Sequence, residues 1–196
     1  MKTILCFGDS NTFGTPPMPD LGADDRFGLD QRWPRIMAAG LGAGWHLVEE
    51  GHPGRTTVHD DPIEGAHRNG SRVLLSVLES HHPVDVLVLM LGTNDSKQRF
   101  ALGRVDIALG AGRLVDMALA SGRVRNILLV APPPVQERGA LADIFAGAEA
   151  RMAGLAADMA WVAKARGVEF MDAGRVIAVD PLDGVHFSAA SHTALG

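Results

Sequence analysis

Five short apolar runs punctuate the chain, at residues 3–7, 45–48, 84–91, 126–131 and 168–171, each rich in Val, Ile and Leu. None alternates apolar with polar, so each predicts a strand buried on both faces. Between them lie longer segments whose apolar residues recur at helical spacing: 31–41, 72–80, 104–121 and 140–166, the last two dense in Ala, Leu and Met. Strand and helix thus alternate. That order predicts an α/β fold with a parallel sheet, helices on both of its faces, right-handed crossovers, and ligands at the carboxyl ends of the strands. The stretch 15–30, containing TPPMPDLGADD, shows neither period and reads as a loop insertion long enough to carry function. GLGAG at 40–44 imitates a dinucleotide fingerprint, but it follows a helix and precedes a strand, so it predicts a helix stop.

Composition narrows this picture. The 196 residues suit one domain spanning 1–196 that can bury a core without metals or disulfides. With 46% apolar and 21% charged residues, and no run approaching the ~20 apolar residues of a membrane span, the composition is that of a globular protein without spans. A strand begins within about three residues of Met1, leaving no room for a secretory leader, so a cytoplasmic location is expected. Cys6 is the only cysteine and lies inside the first apolar run, which predicts a packing residue rather than a nucleophile. The net charge of −5 is spread without a basic cluster. That argues against nucleic acid or anionic membrane as partner and favours a small molecule.

The chemistry-bearing residues gather just after the strands. GDSN (8–11) follows the first, EEGHPGRTT (49–57) the second, GTNDSK (92–97) the third, and DPLDGVHF (180–187) comes soon after the fifth, while the fourth ends in APPPV. If these loops share one sheet edge, Ser10, Gly54, Asn94, Asp183 and His186 converge. A serine hydroxyl is a poor nucleophile until an imidazole takes its proton, and that imidazole needs a carboxylate to fix its tautomer and stabilise its charge. Ser10, His186 and Asp183 supply these three roles. Backbone N–H groups of Ser10 and Gly54, with the Asn94 amide, can then serve as an oxyanion hole. Asn11, Thr93, Lys97, Phe145 and Val185 are the expected substrate-binding positions, and Arg55 also falls within a block. The chemistry needs no cofactor, and no metal is expected: HHP at 81–83 and HDD at 59–61 lack partners at ligand spacing and read as exposed loop residues.

FGDSNTFG, EEGHPGRTT, MLGTNDSK and DGVHFS together resemble the four blocks of the SGNH, or GDSL-type, serine hydrolase family, most closely its arylesterase/acyltransferase branch. The resemblance spans nearly the whole chain. It implies a three-layer, flavodoxin-like SGNH-hydrolase fold with a five-stranded parallel sheet, Ser10 as nucleophile, His186 as base, Asp183 orienting it, and Ser10, Gly54 and Asn94 around the oxyanion. Three departures stand out. Asn11 replaces the leucine that gives the family its name, which predicts a polar group at the mouth of the pocket. Glu50 stands where the wider family commonly has asparagine. Relatives continue beyond the histidine block with a full terminal helix, whereas ten residues follow His186 here, which reads as a truncated end.

What the resemblance implies is a carboxylic ester hydrolase working through an acyl-enzyme on a small-molecule ester. In the branch, an insertion like 15–30 takes part in oligomer contacts and narrows the channel, favouring transfer to alcohols or peroxide; a homo-oligomer is therefore expected. Thr15 and Asn11 are smaller or more polar than a tight acyl-transfer site would have, so hydrolysis of small acetyl-type esters, carbohydrate esters among them, ranks first. Two rivals remain: a lysophospholipase or thioesterase acting on longer chains, which the scarcity of aromatic residues disfavours, and a non-catalytic ligand-binding module on the same fold. Taken singly, each residue has an ordinary reading. Ser10 could be a helix N-cap, His186 a packed histidine, Gly54 a turn glycine and Asn94 a loop cap; Asp9 and Asp95 read as turn residues. NGS at 69–71 is a glycosylation acceptor only in a secreted protein.

Overall fold

The computed structural model describes all residues, Met1–Gly196. Four of the five apolar runs form strands close to their expected bounds: β1 (Lys2–Gly8), β2 (Trp45–Gly51) and β4 (Val124–Ala131) extend beyond their runs, and β3 (Val84–Met90) stops one residue short. The fifth is β5 (Glu169–Asp172), displaced by one residue from the expected run. All pair in parallel, in the order β2-β1-β3-β4-β5. The strand order reverses at β1, which therefore has β2 on one side and β3 on the other. In open α/β sheets the crevice at such a reversal, outside the carboxyl ends, is the ligand site.

Successive side chains of a strand point to opposite faces, and here both faces are packed. Leu5 and Phe7 of β1, with Leu87 and Leu89 of β3, belong to a cluster of 28 buried residues. Covering it are α3 (Gly70–His81), α4 (Arg104–Ser121) and α6 (Leu155–Arg166). Ile4, Cys6, Val88 and Met90 point the other way, into a cluster of 10 under Trp33 of α2 (Trp33–Leu41) and Leu195 of α7 (Ala189–Leu195). Each fully buried Leu or Phe contributes about 1.5–3 kcal/mol. Cys6 is the packing residue expected of it: burial, reinforced by the Glu49 charge, pushes its thiol pKa up and keeps it protonated.

Helix boundaries follow local chemistry. Pro34 in its first turn sets the start of α2, and Gly42, at φ 82°, ends it as the GLGAG motif predicts. Asn69 begins α3 by accepting a hydrogen bond from Ser71 N. The single helix expected over 140–166 is a correction. A 3₁₀ turn at Gly139–Leu141, then α5 (Ala148–Met152), then α6 replace it, because Gly147 and Gly154 take left-handed φ of 76° and 90°. The breaks leave Leu141, Ile144 and Phe145 outside any long helix, hanging over the sheet edge. The terminal helix, α7, has seven residues and packs on α2.

Candidate active site

β1 ends at the switch point, and Asp9 turns the chain at once into the one-turn helix α1 (Ser10–Phe13). The Asp9 carboxylate caps it by accepting from Asn11 N at 2.9 Å. Ser10 is thus held at the first position of a helix whose cap is its neighbour, and its own hydroxyl is free for other work. The end of β2 presses against α1: a Cβ on Gly51 would lie 2.1 Å from Phe13 N, so only glycine permits the approach.

The loop 180–187 brings the other two groups. The Asp180 amide donates to His186 O at 2.8 Å and the Gly184 amide to Asp180 O at 2.9 Å, closing a tight loop on itself. Inside it, Asp183 Oδ1 accepts from the amides of Val185 and His186, each at 2.9 Å. Asp183 Oδ2 accepts from His186 Nδ1 at 2.6 Å and from Met18 N, in the 15–30 loop, at 2.7 Å. With Nδ1 donating to the carboxylate, Nε2 is left as the acceptor, and it lies 3.1 Å from Ser10 Oγ. Burial alone would raise the Asp183 pKa. The His186 hydrogen bond and charge, with the backbone amides, outweigh it and hold this carboxyl below its ordinary value. A hydroxyl, an imidazole in the accepting tautomer and an ionised carboxylate therefore stand in series, a geometry able to remove a proton from Oγ and stabilise the imidazolium that results.

The amides of Ser10 and Gly54 donate to no protein acceptor, and both residues line the cavity in front of Oγ. Asn94 lines it too, with one amide hydrogen given to Arg55 O at 3.2 Å and the other uncommitted. These neutral donors can meet a developing oxyanion. The cavity holds about 310 Å³ and has two unlike walls. Met18, Leu141, Ile144, Phe145 and Val185 form an apolar side; Glu64, Arg68 and Lys97 form a charged one. On the charged side Lys97 Nζ lies 2.5 Å from Glu64 Oε1, and Arg99 pairs with both Glu64 and Asp61.

Of the residues expected from sequence, Ser10, Gly54, Asn94, Lys97, Phe145, Val185 and His186 line the cavity, with Asp183 directly behind His186. Two expectations are corrected. Asn11 does not sit at the mouth: its side chain turns inward, donating to Val185 O and accepting from Phe187 N, each at 3.1 Å. Thr93 is buried in the turn after β3 and does not line this cavity. Arg55 is structural as well, its guanidinium over the Phe7 ring and donating to Gly8 O and Glu50 O. In HDD, Asp60 pairs with Arg72 at the surface, whereas Asp61 is buried and bound to Arg99, not exposed. Glu64 and Arg68 were not anticipated, for their segment carries no motif, whereas Met18 belongs to the 15–30 loop expected to wall the pocket. The one usable signal was the length of the 15–30 loop.

Asp9 plays the turn role expected of it, while Asp95 instead ties its loop to Thr57, both at an electrostatic cost. Asp95 accepts from Thr57 N and Oγ1, and burial raises its pKa. Burial likewise pushes Asp9 up to about 6, against partial relief from the Asn11 amide, His186 and Arg55. The folded carboxyl therefore holds its proton more tightly than the unfolded one, so Asp9 removes stability as pH rises from about 4 to about 6 and the loss persists above. Asp9→Asn keeps the cap acceptor without the charge. It should gain about 2–3 kcal/mol over wild type at pH 8 and nothing near pH 3.5, read by urea unfolding; equal gains at both would contradict the assignment.

A serine, histidine and aspartate in hydrogen-bonded series at the switch point of a doubly wound sheet define a class, the serine hydrolases of SGNH type. Residues 6–194 match the model of the GDSL-like lipase/acylhydrolase family, and the chain belongs to that family. Among solved structures it is similar to the native M. smegmatis aryl esterase, at 40% identity and TM-score 0.95 over 100% of this chain and 95% of that one. It is similar also to Est24, a carbohydrate acetylesterase from Sinorhizobium meliloti, at 39% identity and TM-score 0.95 over 100% and 94% of the two chains. A lipase/acylhydrolase from Enterococcus faecalis, at 19% identity and TM-score 0.67 over 98% and 90%, shares the fold. No curated protein matches significantly. With these relatives the chain is a carboxylic ester hydrolase. No helix is long and apolar enough to cross a membrane.

Proposed function

We propose that the protein, acting as a single domain, hydrolyses small acetyl-type esters through an acyl-enzyme on Ser10. The observation that carries this reading is the continuous Ser10–His186–Asp183 hydrogen-bond series facing the cavity. His186 Nε2 takes the Oγ proton as Oγ attacks the ester carbonyl; the resulting oxyanion is met by Ser10 N–H, Gly54 N–H and the Asn94 amide. The imidazolium then protonates the departing alcohol. Water, deprotonated in turn by His186, attacks the acyl-enzyme and frees Ser10. An alcohol or peroxide in place of that water gives acyl transfer from the same intermediate. Asn11 is turned away from the cavity, so Thr15 is left as the small polar residue on that side, in keeping with hydrolysis ranking first.

The substrate class follows from the walls. A small acyl group suits the apolar side, and a hydroxylated alcohol, such as a sugar, suits Glu64, Arg68 and Lys97, which can accept from and donate to its hydroxyls. The wider reading places the enzyme in the cytoplasm as a homo-oligomer. A series of p-nitrophenyl esters tests the acyl preference: kcat/KM should be highest for acetate and fall at least tenfold by octanoate, since a cavity of 310 Å³ that must also admit the alcohol cannot bury a long chain. A maximum at octanoate or beyond would favour the long-chain lysophospholipase or thioesterase reading instead.

A further inference from the structure

The residue after Ser10 does something a leucine could not. Asn11 is 1% exposed, and both ends of its amide are engaged by a segment lying 174 and 176 residues further along the chain. Nδ2 donates to Val185 O and Oδ1 accepts from Phe187 N, each at 3.1 Å. These partners are the immediate neighbours of His186, one on either side. A side-chain amide offers a donor and an acceptor on one planar group, and here the loop around His186 presents the complementary pair. Asn11 is itself fixed: its backbone N–H donates to Asp9 at 2.9 Å and its carbonyl accepts from Trp33 Nε1 at 3.1 Å.

We propose that Asn11 is a positioning residue: its side chain brackets the backbone of His186 and so sets the imidazole against the hydroxyl of the adjoining Ser10. The inference rests on the reading of Ser10 as nucleophile and His186 as base. The path from nucleophile to base is unusually short, running from Ser10 through one peptide bond to Asn11 and through two hydrogen bonds to the residues flanking His186. From the other side, Asp183 Oδ1 holds the Val185 and His186 amides. The base is therefore gripped from two directions, by its orienting carboxylate and by the neighbour of its nucleophile. The ring stays free to pass a proton from Oγ to the leaving alcohol while its backbone stays put. Val185 and Phe187 are both buried, so without the amide their C=O and N–H would be left unpaired and the loop would relax to satisfy them elsewhere.

Such a relaxation acts on proton transfer in both acylation and deacylation, and of the apolar lining it reaches only Val185. It therefore lowers kcat and spares KM. Asn11→Leu, the residue that gives the family its name and hence one this backbone position accommodates, and the isosteric Asn11→Asp, which cannot donate to Val185 O when ionised, are compared with wild type and Ser10→Ala. The readouts are p-nitrophenyl acetate turnover, the rate of covalent labelling by a fluorophosphonate, and Tm. The expected result is a 10- to 100-fold loss of kcat in both Asn11 variants, with labelling slowed in parallel and KM within about twofold. Wild-type kcat and labelling rate in either folded variant, even with a lowered Tm, would reduce Asn11 to a structural residue and overturn the inference. If wild type itself neither turns over ester nor takes the label, the reading of Ser10 and His186 has failed, and the bracket falls with it.

Discussion

Replacing Ser10 by alanine should lower kcat for p-nitrophenyl acetate by about four to six orders of magnitude, because in the proposed mechanism the reaction loses its nucleophile while the imidazole, carboxylate and oxyanion donors remain. The substitution is clean. Asp9, not Ser10, caps α1, and the only side-chain bond of Ser10 is the one to His186 Nε2. Stability should therefore stay within about 1 kcal/mol of wild type. Residual activity at a tenth of wild type would mean that another group attacks the ester or that the cavity merely orients water.

Asp183→Asn has the second largest expected effect, about 10⁴-fold in kcat with KM little changed, through the tautomer of His186. In wild type, Nδ1–H donates to Asp183 Oδ2 at 2.6 Å and Nε2 faces Ser10 as acceptor. An amide nitrogen in that place would donate to Nδ1 and push the proton to Nε2, leaving nothing to accept from Oγ. The opposite flip of the amide leaves an oxygen for Nδ1–H but no charge to stabilise the imidazolium. With nitrogen in that place Met18 N, which now donates to Oδ2 at 2.7 Å, loses its acceptor and the 15–30 loop should loosen; with the amide flipped, the Val185 and His186 amides lose theirs. Full activity in a folded Asp183→Asn enzyme would show that His186 is oriented by something else.

The central strands β1 and β3 were readable because they are buried on both faces, which leaves an uninterrupted apolar run, whereas the edge strands β2 and β5 are mostly half-buried and show shorter runs. Ser10, Asp183 and His186 were readable because acyl transfer restricts the residue types, and strand ends bring them to one edge. What sequence does not carry is the direction in which a side chain points. Ser10 and Asn11 are adjacent on one helical turn, hence about 100° apart around its axis, and one faces the cavity while the other faces the histidine loop. Thr93 was misplaced for the same reason beside Asn94. The segment 140–166 read as one helix because Ala, Leu and Met dominate it, yet two glycines in left-handed conformation break it. Those breaks put Leu141, Ile144 and Phe145 over the cavity. Glu64 and Arg68 lie in a stretch with no periodicity; Glu64 is placed by Lys97 and Arg99, far along the chain, and Arg68 by Glu64 and Pro53 O.

The central claim is a covalent acyl-enzyme on Ser10. The direct measurement is acid quench of the enzyme during turnover of p-nitrophenyl acetate, followed by peptide mass spectrometry. An acetyl group on the Ser10 hydroxyl, absent in Ser10→Ala, is the predicted result. Turnover with no acetylated peptide, even when deacylation is slowed by lowering the pH, or an acetyl group on a different residue that persists in Ser10→Ala, would contradict it.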